Sequence, residues 1–459
     1  MSIINPAIFR SYDIRGNSHN DITTEIASKI GFCFSKMNIT ADNNLICVGR
    51  DGRISSPLLF KSLISGLLVG NAKVLSIGLV PTPTLYYADK KLKPAASIMI
   101  TGSHNKKDDN GFKMVVNGQS FFGQQIQDLL KLINSTNWNE IKFVEQNVEE
   151  YNIANEYIDR ILQDIRINDD LKIAWDPGNG AAGNIMQILQ TKLPNKNILI
   201  NSEIDGNFPN HHPDPTVPEN LKQLIEIVKS EQCDAGIAFD GDADRIGIIT
   251  ASGEILWGDQ ILCLFAKDIL QNNFGATIIA DVKASQVVFD QVKKYGGNSI
   301  MWKTGHSFIK NKMQQSGALL AGEMSGHIFF ADKYYGYDDA IYAALRFLEI
   351  ISNANNSLAK LLVDIPEIYN TPEIRIDTND SLKFQTIDEI KAKLIEDKAE
   401  FNDIDGLRVN TKNGWWLLRA SNTQGAIIAR CESSSKLGLN ELITNLEQLL
   451  SKYNLKLIP

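Results

Sequence analysis

LICVGRDGRISS, residues 45–56, sets the architecture. Its opening residues are an apolar, β-branched run, the pattern of a buried strand. The run ends in an Asp-containing loop, a helix-like stretch continues to about Gly70, and a second apolar run, KVLSIGLVPTPTL (73–85), follows. Strand, amphipathic segment and strand in this order form a βαβ unit. The same grammar recurs twice. KIAWDPGNGAAG (172–183) leads through a helix to about Gln190 and then NILINSEIDGNF (197–208). TIIADVKASQVV (277–288) leads through a helix to about Tyr295 and then NSIMWKTGHSFI (298–309). Asp51, Asp176 and Asp281 stand at equivalent places just past a strand's carboxyl end, where α/β folds put their ligand loops.

From about Thr371 the pattern changes. A strand (PEIRID, 372–377), a helix (IDEIKAKLIED, 387–397) and three close apolar runs (GLRVNTK, GWWLLRA, AIIARCES) precede a closing helix from Leu439 to Tyr453. Clustered strands with tight turns predict a smaller antiparallel α+β domain. The fold expected is therefore three related α/β domains with mixed sheets over 1–150, 151–254 and 255–368. A C-terminal α+β domain over 369–459 completes it.

Composition fits several globular domains: 459 residues, 43% hydrophobic and 22% charged. Lys plus Arg number 46 against 54 Asp plus Glu, a net charge of −8 that argues against a general nucleic-acid binder. A local cationic pocket for a small phosphorylated ligand stays compatible with it. Arg10 and Asp13 interrupt the place where a signal peptide needs an apolar run, and no apolar stretch approaches the roughly 18 residues that span a membrane. Cys33, Cys47, Cys233, Cys263 and Cys431 are odd in number, scattered and without a CxxC pair, so neither a disulfide framework nor a zinc site is indicated. The expected setting is the cytoplasm, without membrane or nucleic-acid partners.

The segments that could carry chemistry lie at strand ends. In AGIAFDGDADRIGIIT, Asp240, Asp242 and Asp244 are spaced i, i+2, i+4. Two carboxylates about 5 Å apart repel by roughly 3 kcal/mol at an effective dielectric near 20, so three together call for a cation. Oxygen ligands suit Mg²⁺ or Ca²⁺. An EF-hand is excluded, since Arg245 and Ala251 stand where its Gly and Glu belong. ASIMITGSHNKKDDNGFKMVV brings Ser103 to a loop tip beside His104, with Lys113 on the far side. Such a serine is either a nucleophile or part of a polar hairpin tip. The GxSxG elbow of a triad hydrolase is missing there and at Ser325. GEMSGH (322–327) groups Glu323, Ser325 and His327 between glycines, a polyol-binding loop or a plain turn. RASNTQG (419–425) is either a phosphate cup or a hairpin turn. DPGNGAAG carries G-x-G-x-x-G at Gly178, Gly180 and Gly183, which keeps a dinucleotide-dependent oxidoreductase in view, although Asp176 and Pro177 separate the glycines from the strand. No Walker A sequence occurs.

Taken together, FRSYDIRG, TGSHN, DGDADR, DVKAS, KTGHS, GEMSGH and RASNT, in that order across the chain, resemble the α-D-phosphohexomutases of the phosphomannomutase/phosphoglucomutase branch. The resemblance implies three similar α/β domains and a fourth, smaller one around a central cleft. It implies that Ser103 is a phosphoserine that gives its phosphoryl group to the sugar. Asp240, Asp242 and Asp244 would hold Mg²⁺ together with a phosphoserine oxygen from Ser103. Arg245 would lie beside that phosphate, His104 beside the serine, and Lys113 and His327 would move the hydroxyl proton. Glu323 and Ser325 would grip sugar hydroxyls, and Arg419, Ser421, Asn422 and Thr423 the phosphate that is not reacting. Tyr12, Arg15, Lys283 and His306 would complete the walls.

The implied reaction is reversible conversion of mannose 6-phosphate to mannose 1-phosphate through a hexose 1,6-bisphosphate, with glucose phosphates handled too. Phosphoglucomutase as the main activity, then phosphoglucosamine mutase, are the alternatives within the family. Met324 and Asn422 favour the mannose/glucose branch, since glucosamine mutases tend to show Gln and Gly there. The partners implied are small hexose phosphates, and the protein a monomer or weak dimer. Lys106 replaces a frequent Pro, Ala243 a frequent Gly, and Gln424 lacks its usual nearby Pro; none of these removes a ligand or donor.

Overall fold

The computed structural model describes residues 4–144, 146–168, 170–354, 358–421 and 425–457. Three of its sheets repeat one strand order. In the first, Leu45–Arg50 pairs in parallel with Lys73–Leu79 on one side and Ala96–Ile100 on the other. The chain then turns back as Asp109–Val116, antiparallel to Ala96–Ile100. In the second, Lys172–Asp176 takes the central place between Lys196–Leu199 and Ala235–Phe239, and Ile246–Thr250 is the antiparallel return. In the third, Thr277–Asp281 lies between Asn298–Trp302 and Leu320–Gly322, with Ile328–Phe330 returning. Helices Ser56–Val69, Gly183–Lys192 and Gln286–Lys294 make the first crossover of each unit. The inner parallel strands are covered on both faces, which is why they read as unbroken apolar runs; Ala96–Ile100 and Ala235–Phe239 are buried at every position.

This order fixes where chemistry can sit. The loop between the third strand and its antiparallel return lies at the same place in all three sheets. It holds Ser103 in the first, Asp240–Asp244 in the second, and Glu323–His327 in the third. The three segments singled out by sequence are thus one structural position, used three times. Two additions lengthen the sheets. Ile14–Asn17 pairs antiparallel with Asp109–Val116, and Ile255–Leu256 pairs with Ile246–Thr250, so the second sheet runs past residue 254.

The fourth sheet is antiparallel, with Ala426–Ser433 flanked by Gly414–Ala420 and Ile374–Asp377. Helices Asp380–Glu396 and Lys436–Ser451 accompany it, over a core that includes Ile390, Leu418, Ile427, Leu442 and Leu446. One continuous apolar cluster from Ile77 to Leu358 joins the first three units, and the first unit has a further core of its own that includes Ile26, Ile46, Leu63 and Phe112. The fourth keeps its own core and meets the third at a small patch of Val282, Trp415 and Leu417. Arg408, stacked 3.7 Å from the Trp415 ring centre, donates to the carbonyls of Val282 (2.8 Å) and Ala284 (2.6 Å). Among the described residues no helix is long and apolar enough to cross a membrane.

Candidate active site

The four units surround a cleft of about 1210 Å³. It is lined by Tyr12, Arg15, Ser103, His104 and Lys113 from the first unit and Arg245 from the second. Lys283, His306, Glu323, Ser325 and His327 come from the third, and Arg419 and Ser421 from the fourth. Asp240, Asp242 and Asp244 do not line it; they lie fully buried behind Ser103 and Lys113, which they contact. Asn422 and Thr423 lie outside the described residues.

Ser103 is at the focus. Its backbone is in the left-handed region (φ 48°), a strained conformation for a residue with a side chain, of the kind that clusters at functional sites. Its hydroxyl donates to Asp240 Oδ2 at 2.9 Å and lies 3.0 Å from His104 Nδ1. What fixes this geometry is Arg53, a buried residue that no sequence motif singled out. Its guanidinium donates to the carbonyls of Ser103 (2.6 Å), Asn105 (2.7 Å), Lys106 (2.5 Å) and Asp109 (3.0 Å). Asp51, 3.2 Å from Arg53 Nε, also accepts from the Gly102 amide at 3.1 Å. Asp281 does the same for the sugar-loop candidate, accepting from Met324 N at 3.2 Å. Two of the three strand-end aspartates therefore brace the reactive loop of their own unit.

The carboxylate cluster tests well as a cation site. Asp240, Asp242 and Asp244 each offer an oxygen, all within 4.8 Å of one another. Octahedral Mg²⁺ with oxygens at about 2.1 Å needs neighbours roughly 3–4 Å apart. Asp242 Oδ1 and Asp244 Oδ1 are buried with no hydrogen-bond partner. Burial, then the neighbouring Asp242 and Asp244, push the Asp240 carboxyl well above its ordinary range, the strain a cation relieves. Lys113 bridges the other two, 2.6 Å from Asp242 and in contact with Asp244. Burial opposes its charge, but these two carboxylates outweigh it and raise the Lys113 pKa. Ala243, where glycine is frequent in the resembling family, takes φ 57° at the turn of this loop.

The rest of the cleft is a set of paired cations. Arg245 Nε donates to His327 Nε2 at 3.0 Å. Arg15 bonds Asp13 (2.6 Å) and Asn105 (3.0 Å). Lys283 lies 3.0 Å from Glu373, and Arg419 3.1 Å from Asp405. Glu323 accepts from the Gly305 amide at 2.5 Å. Tyr12 stands edge-on to His306, ring centres 5.6 Å apart. His104 and His306 are both held neutral, by burial first and then by Arg245 and Lys310 respectively. Partners such as Glu373, Asp405 and Asp338 escaped the sequence reading because they lie outside the motifs, whereas Asp13 sits within FRSYDIRG, two residues from Arg15, and only its pairing was missed. The one available signal was the Asp338-Asp339 pair closing an aromatic run, YYGY.

The G-x-G-x-x-G stretch is not a dinucleotide loop. Five of the six amides from Gly178 to Gly183 are already used: Gly178 N bonds Asp176 Oδ1, Asn179 N bonds Asn201 O and Gly180 N bonds Pro177 O. Ala181 N bonds Gly241 O, and Gly183 N bonds Gly180 O. Asp176 is further held by His211 at 2.8 Å. The loop is a structural turn that supports the aspartate loop from behind.

A repeated α/β unit with a serine, a carboxylate triad and a polyol-sized loop at one equivalent position defines a multidomain phosphoryl-transfer scaffold. Comparison with known proteins is specific. The phosphoglucomutase/phosphomannomutase alpha/beta/alpha domains I, II and III match residues 6–140, 155–253 and 257–369, and the family's C-terminal domain matches 373–448. A phosphomannomutase/phosphoglucomutase of Pseudomonas putida is 44% identical over 436 residues, 95% of this chain and 94% of its own. A phosphoglucomutase of Neisseria gonorrhoeae is 40% identical over 96% of both chains. The crystal structure of a phosphoglucomutase/phosphomannomutase family protein from Burkholderia thailandensis superposes with a TM-score of 0.90 at 38% identity, covering 98% of each chain. The chain belongs to the phosphoglucomutase/phosphomannomutase family, the α-D-phosphohexomutases.

Proposed function

We propose that the protein interconverts mannose 6-phosphate and mannose 1-phosphate, and the corresponding glucose phosphates, by way of a phosphorylated Ser103 and a hexose 1,6-bisphosphate. The observation that carries this reading is the Ser103 hydroxyl, in the wall of a cleft lined by four domains, set against a buried triad of aspartates behind it. Phosphoryl transfer needs positioning and charge stabilisation rather than elaborate covalent chemistry. Bound Mg²⁺ would supply that stabilisation at Asp240, Asp242, Asp244 and Ser103. Arg245 faces the same phosphate. Lys113, bridging Asp242 and Asp244, and His327 are the groups that move the proton of the sugar hydroxyl, His327 taking it from the attacking one, and His104 keeps the serine oxygen in place. Glu323 and Ser325 bind sugar hydroxyls, with Tyr12, Arg15, Lys283 and His306 as walls. Arg419 and Ser421, with Asn422 and Thr423 beyond the described residues, hold the non-reacting phosphate.

Phosphoglucomutase as the main activity is the second reading, favoured by the Neisseria relative's name. The domain limits proposed remain 1–150, 151–254, 255–368 and 369–459. A cytoplasmic setting is supported by five buried, unpaired cysteines, and the protein is read as a monomer or weak dimer acting on diffusible sugar phosphates. The direct test is Ser103→Ala. It should abolish mutase turnover on both sugars with the fold intact by circular dichroism; near-normal turnover would remove the serine from the mechanism.

A further inference from the structure

Behind His327 lies a buried group that the reaction described so far does not use. Asp338 is fully buried. Its Oδ2 lies 3.1 Å from His327 Nδ1, off the line of a straight hydrogen bond, and its Oδ1 accepts from Lys310 Nζ at 2.8 Å. Lys310 is itself seated 4.0 Å from the Tyr86 ring centre. The Asp338 backbone is held on both sides: it bridges to Phe329, and the next residue caps helix Ala340–Asn353. Lys310 and the backbone thus hold this carboxylate in place.

The other face of the imidazole decides what Asp338 does. Arg245 Nε donates to His327 Nε2 at 3.0 Å. A guanidinium has no acceptor, so Nε2 must carry the lone pair, and the proton of a neutral ring must be on Nδ1. Two carboxylates face Nδ1. Asp244 Oδ1 is farther, at 3.6 Å, and its other oxygen contacts Lys113. Asp338 is the nearer acceptor. Asp244, His327 and Asp338 also form a cluster that could hold a metal ion. A metal on Nδ1 would move the ring proton to Nε2, leaving two N–H groups opposed at Arg245. With Arg245 on Nε2, the hydrogen-bond pattern favours a proton over a metal at Nδ1.

We propose that Asp338 is a positioning residue for His327: it accepts the Nδ1 proton and so keeps the Nε2 lone pair toward the cleft. This rests on the proton role proposed for His327. When Arg245 turns to a phosphate, the lone pair it leaves on Nε2 is ready for a sugar hydroxyl. A carboxylate that fixes tautomer and ring orientation in this way is a general device for histidine bases.

Asp338→Asn tests it. With its oxygen kept by the Lys310 ammonium, the amide turns NH₂ toward Nδ1, so the ring proton must move to Nε2. Loss of a positioned base costs about 10²–10⁴-fold in rate. We expect kcat to fall at least a hundredfold with KM within threefold. Long-range ¹H–¹⁵N spectra of the Mg²⁺-loaded full chain, with the His327 signals assigned from His327→Gln, should show the Nδ1–H tautomer in the native protein and Nε2–H in Asp338→Asn. Any other combination contradicts the proposal. The native spectrum suffices by itself if the variant does not fold, because a proton on Nε2 there overturns it. His327→Ala separates the two readings. If it keeps native kcat, the proton role is wrong. If it is inactive beside an active Asp338→Asn, only the positioning fails.

Discussion

At the scale of single residues, the site depends on side chains that never touch a substrate. Arg53 gathers four carbonyls of the serine loop and holds Ser103 in its left-handed conformation. Misplacing a reacting group by about 1 Å costs on the order of 10²-fold in rate. Arg53→Met should therefore lower kcat by about that factor while KM stays near native, and steady-state kinetics with a thermal melt would check it. A matching loss in KM would instead mean the whole cleft has shifted. Gly241 gives a second, steric test. A Cβ there would come 2.5 Å from the Ser103 carbonyl, which Arg53 prevents from retreating. Gly241→Ala should push the aspartate loop from the serine and raise the Mg²⁺ concentration needed for half-maximal activity at least tenfold. An unchanged Mg²⁺ titration would show that the two loops need not touch. Ser103 and the three aspartates were legible because unusual polar residues end apolar strands. Arg53 was not, because a buried arginine bonded to carbonyls looks in sequence like any arginine after a strand.

At the scale of elements, the repeated strand order explains why three unlike motifs converge: each is the loop before the antiparallel strand of its sheet. Alternating apolar runs made this layout readable in advance. The start of helix Asp380–Glu396 was less so, since the sequence suggested a beginning near Ile387. Leu382 and Phe384 are half-exposed, whereas Ile387 and Ile390 are buried, so the apolar period begins a full two turns inside the helix. The N-cap of helix Ala340–Asn353 offers a pH test. Asp339 accepts from Tyr342 N, Tyr157 and Tyr334, yet burial outweighs these bonds and pushes its carboxyl up to about 6. Between about pH 4 and 6 the unfolded chain has lost this proton while the folded chain keeps it, so stability falls as pH rises through that window. Asp339→Asn keeps a capping oxygen and removes the charge. It should flatten that slope and stabilise the protein by about 1 kcal/mol at pH 7, read from denaturant melts at pH 4.5 and 7. A less stable variant at pH 7 would mean that the three hydrogen bonds outweigh burial.

At the scale of the whole molecule, an acidic protein of net charge −8 encloses a cleft walled by Arg15, Lys113, Arg245, Lys283 and Arg419. Composition argued against a general polyanion binder, and only the fold gathers these cations at one anion-sized place. The fourth domain keeps its own core and meets the third through a small apolar patch, Arg408 and the ion pairs Lys283–Glu373 and Arg430–Asp259. Arg419→Ala should raise KM for hexose phosphates at least tenfold while leaving the Mg²⁺ requirement and the melting temperature near native. Unchanged kinetics would move the phosphate cup elsewhere. The central claim is that Ser103 carries the phosphoryl group, and peptide mass spectrometry tests it most directly. Its phosphate occupancy should be measured before and after brief incubation with Mg²⁺ and, separately, mannose 6-phosphate, glucose 6-phosphate or glucosamine 6-phosphate. The account predicts a phosphorylated Ser103 drained fastest by the mannose or glucose phosphate and restored by hexose 1,6-bisphosphate. A Ser103 that stays bare after bisphosphate treatment would contradict it.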